Sequence, residues 1–248
     1  MDRTAPAAPD PSLVLADVRR ALAEDLGTGD VTAALLPDVP ERAYLLCKED
    51  AVIAGRPWFD ACHRALDPDV AIDWSVGEGE RVAAGTVLAL LRGRSRALVS
   101  AERTALNFLQ TLSGTATTTA AHVDAVRGTG TVVLDTRKTL PGLRLAQKYA
   151  VRAGGGANHR IGLYDAVMLK ENHIRVAGTV AEAIARARAA QPGLPLIVEV
   201  AVPVLVRGAR GAGGDVLAGV GEERRARAAG AGVGHLPEIV RCIGRALV

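Results

Sequence analysis

Only three cysteines, Cys47, Cys62 and Cys242, are scattered through 248 residues, with no CxxC spacing among them. An odd, unpaired set excludes a disulfide framework and a cysteine-based zinc site, and a reducing cytoplasm is the expected location. Aromatic residues are equally scarce, at 3% of the chain, and no Lys/Arg run is interleaved with them. The stacking platforms and basic stripes of nucleic-acid binders are therefore missing. Arginine greatly outnumbers lysine, yet the net charge is only +3, so the expected partners are small molecules and not nucleic acid. The Pro/Ala-rich start, up to Pro11, has no apolar centre of the kind a signal peptide needs, and no apolar run of 18 residues follows it. Residues 1–11 are expected to form a disordered leader, with no membrane segment after it. A nucleophile motif is also absent.

What is present is a large apolar fraction, 49%, enough to bury a substantial core in one or two domains. Ser12 is placed as the N-cap of a helix to about Glu24, which the Gly27-Thr28-Gly29-Asp30 turn stops. Strand-like runs at 42–53 and 70–92 surround a second helix that begins at Pro57. From Val99 to about Val126 the pattern is helical again, with an expected break at Ser113-Gly114, where a domain boundary is placed. Beyond it the order becomes strand (132–134), helix from Pro141 to the Gly154-Gly155-Gly156 stop, strand (166–169), helix (179–190) and strand (194–200). Strand–helix alternation of this kind predicts a parallel α/β barrel or doubly wound sheet. The predicted organisation is a leader at 1–11, an N-terminal α+β domain at 12–113, a barrel domain at 114–206 and a divergent Gly/Arg-rich segment at 207–248. Between Arg207 and Gly234 nine glycines and five arginines follow no period of 2 or 3.6, and no regular structure is expected there. A short amphipathic helix is expected near Pro237 to Leu247.

The two strands at 132–134 and 166–169 end directly in cations, Arg137 and Lys138 in one case and Lys170 in the other. Parallel strands would put those charges on one C-terminal rim, where barrel active sites lie. Arg137, Lys138, Arg160 and Lys170 repel one another unless an anion lies between them. Arginine forks grip carboxylates and phosphates bidentately and lysines supply mobile point charges, so the mixture fits a polyanion carrying both group types. His159 is placed either to donate to a ligand carboxylate or to cap a turn. The triple glycine either lets a backbone approach a phosphate or, more commonly, ends a helix. Glu199 closes the strand 196–200 and suits sugar hydroxyls or a water-bridged Mg²⁺. Arg103 lies on a helix before the barrel, a surface charge in a monomer that reaches a barrel rim most easily from another subunit.

The segment 134–174 carries Asp135-Thr136-Arg137-Lys138-Thr139, Pro141-Gly142-Leu143-Arg144, Lys148-Tyr149-Ala150-Val151, the triple glycine, Asn158-His159-Arg160 and Lys170-Glu171-Asn172-His173. With Glu24-Asp25-Leu26-Gly27, Gly29-Asp30-Val31-Thr32 and Ser100-Ala101-Glu102-Arg103 upstream, it resembles the quinolinate phosphoribosyltransferases over roughly residues 12–200. The resemblance implies an N-terminal α/β sandwich followed by an open α/β barrel, assembled as a homodimer or a multiple of dimers. It implies transfer of the phosphoribosyl group of 5-phosphoribosyl 1-diphosphate to quinolinate with Mg²⁺ and decarboxylation. On matching motifs, Arg137, His159 and Arg160 would hold the quinolinate carboxylates. Lys138 and Lys170 would face the substrates and the leaving pyrophosphate, Glu199 would contact the ribose hydroxyls or the metal-bound diphosphate, and Arg103 would enter from the partner subunit. Lys138, Lys170 and Glu199 are thus the catalytic candidates, and no residue is assigned as a resident metal ligand.

Beyond Val200 the family pattern is lost. The aspartate-ended strand and the two glycine-containing phosphate loops that the resemblance implies are not recognisable, although Asp215 lies near the first. Residues 115–248 are too few for six strand–helix units of about 20–30 residues, so an incomplete barrel is expected. Gly/Ala/Arg enrichment with lost periodicity is what a shifted reading frame in a GC-rich gene produces, and impaired activity is the corresponding expectation. Two alternatives accompany it: a non-catalytic quinolinate-binding pseudoenzyme and a related phosphoribosyltransferase-like paralogue with another substrate.

Overall fold

The computed structural model describes residues 6–200 and 215–218. They fall into two compact units, one ending at His159 and the other beginning at Arg160. The first unit opens with α1 (Pro11–Leu26), capped by Asp10 and not by Ser12: Asp10 Oδ1 accepts the Ser12 amide at 2.9 Å. Pro11 occupies the first turn, where its missing N–H costs nothing, and this moves the cap one residue upstream of the serine. Residues 1–5, on which part of the expected leader falls, lie outside the described residues.

After α1 the chain forms β1 (Pro40–Leu46), β2 (Ala51–Val52), α2 (Arg56–Leu66), β3 (Ala71–Trp74), β4 (Arg81–Val82) and β5 (Val87–Arg94). β5 is the centre of an antiparallel sheet in the order β1-β5-β3, while β2 and β4 form a separate two-stranded ribbon. The third helix, α3 (Ser95–Ala125), buries Leu98, Ala101, Ala105, Leu109, Leu112, Ala116 and Ala120, a stripe at spacings of three and four. That stripe meets Trp58, Phe59 and Cys62 of α2, and Val14, Val18 and Leu22 of α1 join the same core. Buried His63 stacks on Phe59 at 4.8 Å, and burial lowers its pKa to about 4.

The break expected at Ser113-Gly114 does not occur, and α3 runs through it for 31 residues. Ser113 is satisfied outside the helix, because its Oγ accepts the Ala54 amide at 3.0 Å and donates to the Ala54 carbonyl at 3.2 Å. Thr115 and Thr119 donate back to the carbonyls of Thr111 and Thr115 at 3.1 and 2.8 Å, so their hydroxyls do not compete with the helix ladder. α4 (Arg144–Ala153) then packs on α3 and ends at Gly154, as its glycine stop predicts. The strand expected at 132–134 shrinks to one parallel bridge between Leu134 and Ala157.

The second unit holds a parallel sheet in the order β6-β7-β8, formed by β6 (Val167–Leu169), β7 (Leu196–Val200) and β8 (Asp215–Ala218). Between β6 and β7 lie α5 (Glu171–Ala177) and α6 (Val180–Ala190). Thr179 and Glu182 cap α6 reciprocally, at 3.2 and 2.9 Å. Val180, Ala183 and Ile184 of α6 pack on Leu169, Leu196 and Val198. β8 corrects the expectation of no regular structure across 207–234, because a parallel partner supplies what local periodicity did not. The rest of that segment and the expected helix near 237–247 lie outside the described residues. Among the described residues no helix is long and apolar enough to cross a membrane.

Candidate active site

In the first unit the site residues are organised around one carboxylate. Asp135 Oδ1 accepts from Lys148 Nζ at 2.5 Å and from the His159 amide at 2.8 Å, and Oδ2 accepts from Asn158 Nδ2 at 2.6 Å. Lys148 Nζ also donates to the His159 carbonyl at 2.9 Å, so both backbone groups of His159 are held by a single ion pair. The backbone repeats the link, since the Asp135 amide donates to the Ala157 carbonyl at 3.1 Å. The Asp-Thr-Arg-Lys-Thr and Asn-His-Arg motifs, whose Asp135 and Asn158 are 23 residues apart in sequence, therefore meet at Asp135.

Arg137 and Lys138 follow directly on this hub. Arg137 is half-buried and Lys138 exposed. Among the described residues neither side chain has a hydrogen-bond or ion-pair partner, and the Nε of Arg137 is buried without an acceptor. A guanidinium nitrogen withdrawn from water with nothing to bond is costly, and an arriving anion would relieve it. His159 is half-buried beside them in sequence. Arg103 projects from the exposed side of α3, consistent with a surface charge in a single chain.

The triple glycine has a packing or backbone explanation at every position. A Cβ at Gly154 would lie 2.4 Å from the Ala116 carbonyl oxygen, and one at Gly156 would lie 2.8 Å from Val151 and 2.9 Å from Thr119. Gly155 has φ +88°, the left-handed region that favours glycine. No phosphate is needed to account for them.

In the second unit, Arg160 Nη1 reaches the Ala166 carbonyl at 3.4 Å. Lys170 follows the last residue of β6 and Glu199 is the penultimate residue of β7, so the parallel pairing brings both to the C-terminal edge of the sheet. Lys170 Nζ and Glu199 Oε2 are 2.9 Å apart, with side chains 51% and 45% exposed. A pair so accessible can exchange partners with a ligand at little cost, because solvent already weakens it. His173 Nδ1 accepts the Lys170 amide at 3.0 Å and covers the start of α5. Among the described residues no group of three or more His, Cys, Asp or Glu is arranged to hold a metal ion. Glu199 alone suits a hard cation that arrives already bound to a ligand's oxygens.

Sequence reasoning gave no role to Asp135, Lys148 or Asn158. The available signal was Lys148 itself, a rare lysine set among Ala146, Tyr149 and Ala150 on the buried face of α4.

Two family models match the chain: "Quinolinate phosphoribosyl transferase, N-terminal domain" over residues 30–113 and "Quinolinate phosphoribosyl transferase, C-terminal domain" over residues 115–217. The nicotinate-nucleotide pyrophosphorylase [carboxylating] of Mycobacterium leprae is 45% identical over 191 residues, 74% of this chain and 66% of its own length. Quinolinate phosphoribosyltransferase [decarboxylating] 1b of Nicotiana tabacum is 44% identical over 170 residues, 67% of this chain and 48% of its own. The chain thus spans between about half and two thirds of the curated relatives it matches. Among solved structures, the nicotinate-nucleotide pyrophosphorylase of Francisella tularensis superimposes with a TM-score of 0.82 at 42% identity, covering 84% of this chain and 75% of that one. NadC from Streptococcus pyogenes gives 0.82 at 39% identity, covering 85% and 76%. These likenesses extend the N-terminal sandwich and parallel α/β architecture over most of the chain, and they agree with the motifs about what it is. By sequence and by fold, the chain belongs to the quinolinate phosphoribosyltransferase family.

Proposed function

We propose that this chain transfers the phosphoribosyl group of 5-phosphoribosyl 1-diphosphate to quinolinate, releasing pyrophosphate and CO₂ and leaving nicotinate mononucleotide. The observation that carries the reading is Arg137, whose buried Nε has no acceptor and which stands two residues from the Asp135 hub. Such a group calls for an anion, and a pyridine dicarboxylate supplies two carboxylates on adjacent ring atoms for Arg137, His159 and Arg160. Lys138, exposed and without a partner among the described residues, fits the diphosphate.

The chemistry asked of these residues is electrostatic. The pyridine nitrogen attacks the anomeric carbon as the C–O bond to pyrophosphate breaks, and Lys138 and Lys170 stabilise the charge that gathers on the leaving oxygens. Glu199 would hold the ribose hydroxyls while the ring carries positive charge. Mg²⁺ carried in on the diphosphate supplies further neutralisation of the leaving group when bound, and Glu199 is the carboxylate that would approach it. The new pyridinium then withdraws the electron pair left at the adjacent ring carbon when CO₂ departs, and that carbon takes a proton from solvent. No covalent enzyme intermediate is required. We place the protein in the cytoplasm and propose a homodimer, or a multiple of dimers, in which Arg103 completes the neighbouring site.

An assay for nicotinate mononucleotide with both substrates and Mg²⁺ tests the reading. Product formation that stops when either substrate is omitted is the expected result. No product and no quinolinate binding would refute it.

A further inference from the structure

Lys148 is a lysine that cannot serve a substrate directly. Its side chain is 4% exposed, that of Asp135 is 2%, and its ammonium already donates to Asp135 and to the His159 carbonyl. A salt bridge so deep is costly to desolvate, and well-packed apolar residues could replace a purely structural one without loss. This pair differs in what its atoms hold. Every group bonded to it apart from the pair itself belongs to Asn158 or to the backbone of His159. Asn158 Nδ2 adds a second tie, donating to the Lys148 carbonyl at 2.9 Å as well as to Asp135.

We infer that Asp135, Lys148 and Asn158 form a positioning network that fixes the spacing between the Arg137 arm and the His159 backbone for a planar dicarboxylate. The inference rests on the proposed quinolinate reading. The physical need comes from the ligand. Two carboxylates on adjacent atoms of an aromatic ring are held at one separation, so donors on two loops must be held at a matching one. Loops free to move would lose that freedom on binding, and a network formed beforehand removes the cost. The buried ion pair supplies the rigidity, because moving the His159 peptide away would leave both charges short of a bonding partner. None of the three residues need touch the ligand.

Calorimetric titration of quinolinate into the full chain, Asn158→Ala and Lys148→Met tests this. A positioning role predicts unchanged stoichiometry with Kd raised at least about tenfold in both variants, since loops left to be ordered on binding return a cost of this order. Partial recovery in Lys148→Arg, which keeps charge and donors, is also expected. Asn158 is solvent-exposed, so Asn158→Ala decides the matter if Lys148→Met does not fold. Unchanged Kd in Asn158→Ala overturns the inference, whether or not the stoichiometry falls, because damaged structure lowers the number of competent sites without altering their affinity. Absence of quinolinate binding by the unaltered chain removes the underlying reading and the inference together. Equal binding by all forms removes the inference alone.

Discussion

Glu199→Gln separates what the Lys170–Glu199 pair does for the fold from what it does for the reaction. At 2.9 Å two unit charges attract by about 1.4 kcal/mol in a water-like dielectric. With side chains 51% and 45% exposed, side-chain entropy and screening consume most of that, and such pairs contribute roughly 0–1 kcal/mol. Glutamine keeps the shape and a carbonyl oxygen that Lys170 can still donate to, so unfolding free energy should change by less than about 1 kcal/mol. Under the proposed function the reaction would lose a full negative charge opposite a developing ribosyl cation. Removing one such preorganised group costs about 10²–10³ in turnover, or roughly 3–4 kcal/mol of barrier. Urea unfolding curves and initial rates of nicotinate mononucleotide formation on the same preparations give both quantities. A rate within about tenfold of the parent, or a stability loss that accounts for the missing activity, would refute the assignment of Glu199 to the chemistry.

Two further predictions concern stability. Burial holds His63 neutral in the folded chain, with its pKa lowered from 6.5 to about 4, so the unfolded chain binds the extra proton first. Its contribution is complete above pH 6.5 and is lost as pH falls towards 4, amounting to about 3 kcal/mol at 1.36 kcal/mol per unit. His63→Gln should flatten the pH dependence of the urea-derived unfolding free energy across that window, and parallel curves for the two proteins would contradict the assignment. Gly154 has an ordinary backbone φ of −74°, so Gly154→Ala introduces no dihedral strain and tests packing alone. The added methyl meets the Ala116 carbonyl and Thr119, and a loss of about 1–3 kcal/mol in thermal unfolding is expected, whereas an unchanged melting temperature would show that α3 and α4 can part freely.

The parts of this molecule legible in its sequence are those whose signals are local. Pro57 at the start of α2, Thr179 with Glu182 at the start of α6, and the apolar runs of β6 and β7 ending in Lys170 and Glu199 announce themselves within a few residues. The misreadings arise where a distant partner decides. Ser113-Gly114 reads as a stop because serine and glycine are poor in helix interiors, but the Ala54 backbone, 59 residues away, gives Ser113 both its hydrogen bonds. Val132 to Leu134 reads as a strand, yet among the described residues its pairing is a single bridge from Leu134 to Ala157, in the loop after α4. At the candidate site the charged residues were visible in the sequence, and the Asp135–Lys148–Asn158 hub was not. Lys148 stood out only as a lysine on an apolar helix face, and its carboxylate, thirteen residues away, had no local signal.

The continuity of α3 bears on how this family can change over time. The two family models meet between residues 113 and 115, inside a helix of 31 residues and about 46 Å, at a serine whose hydroxyl is bonded to the chain before α2. Recombination at that seam would therefore not exchange independent modules. It would join half a helix whose buried stripe was selected against one set of neighbours to half selected against another, and progeny should survive mainly when both parents carry compatible residues at positions such as Leu109, Leu112 and Ala116.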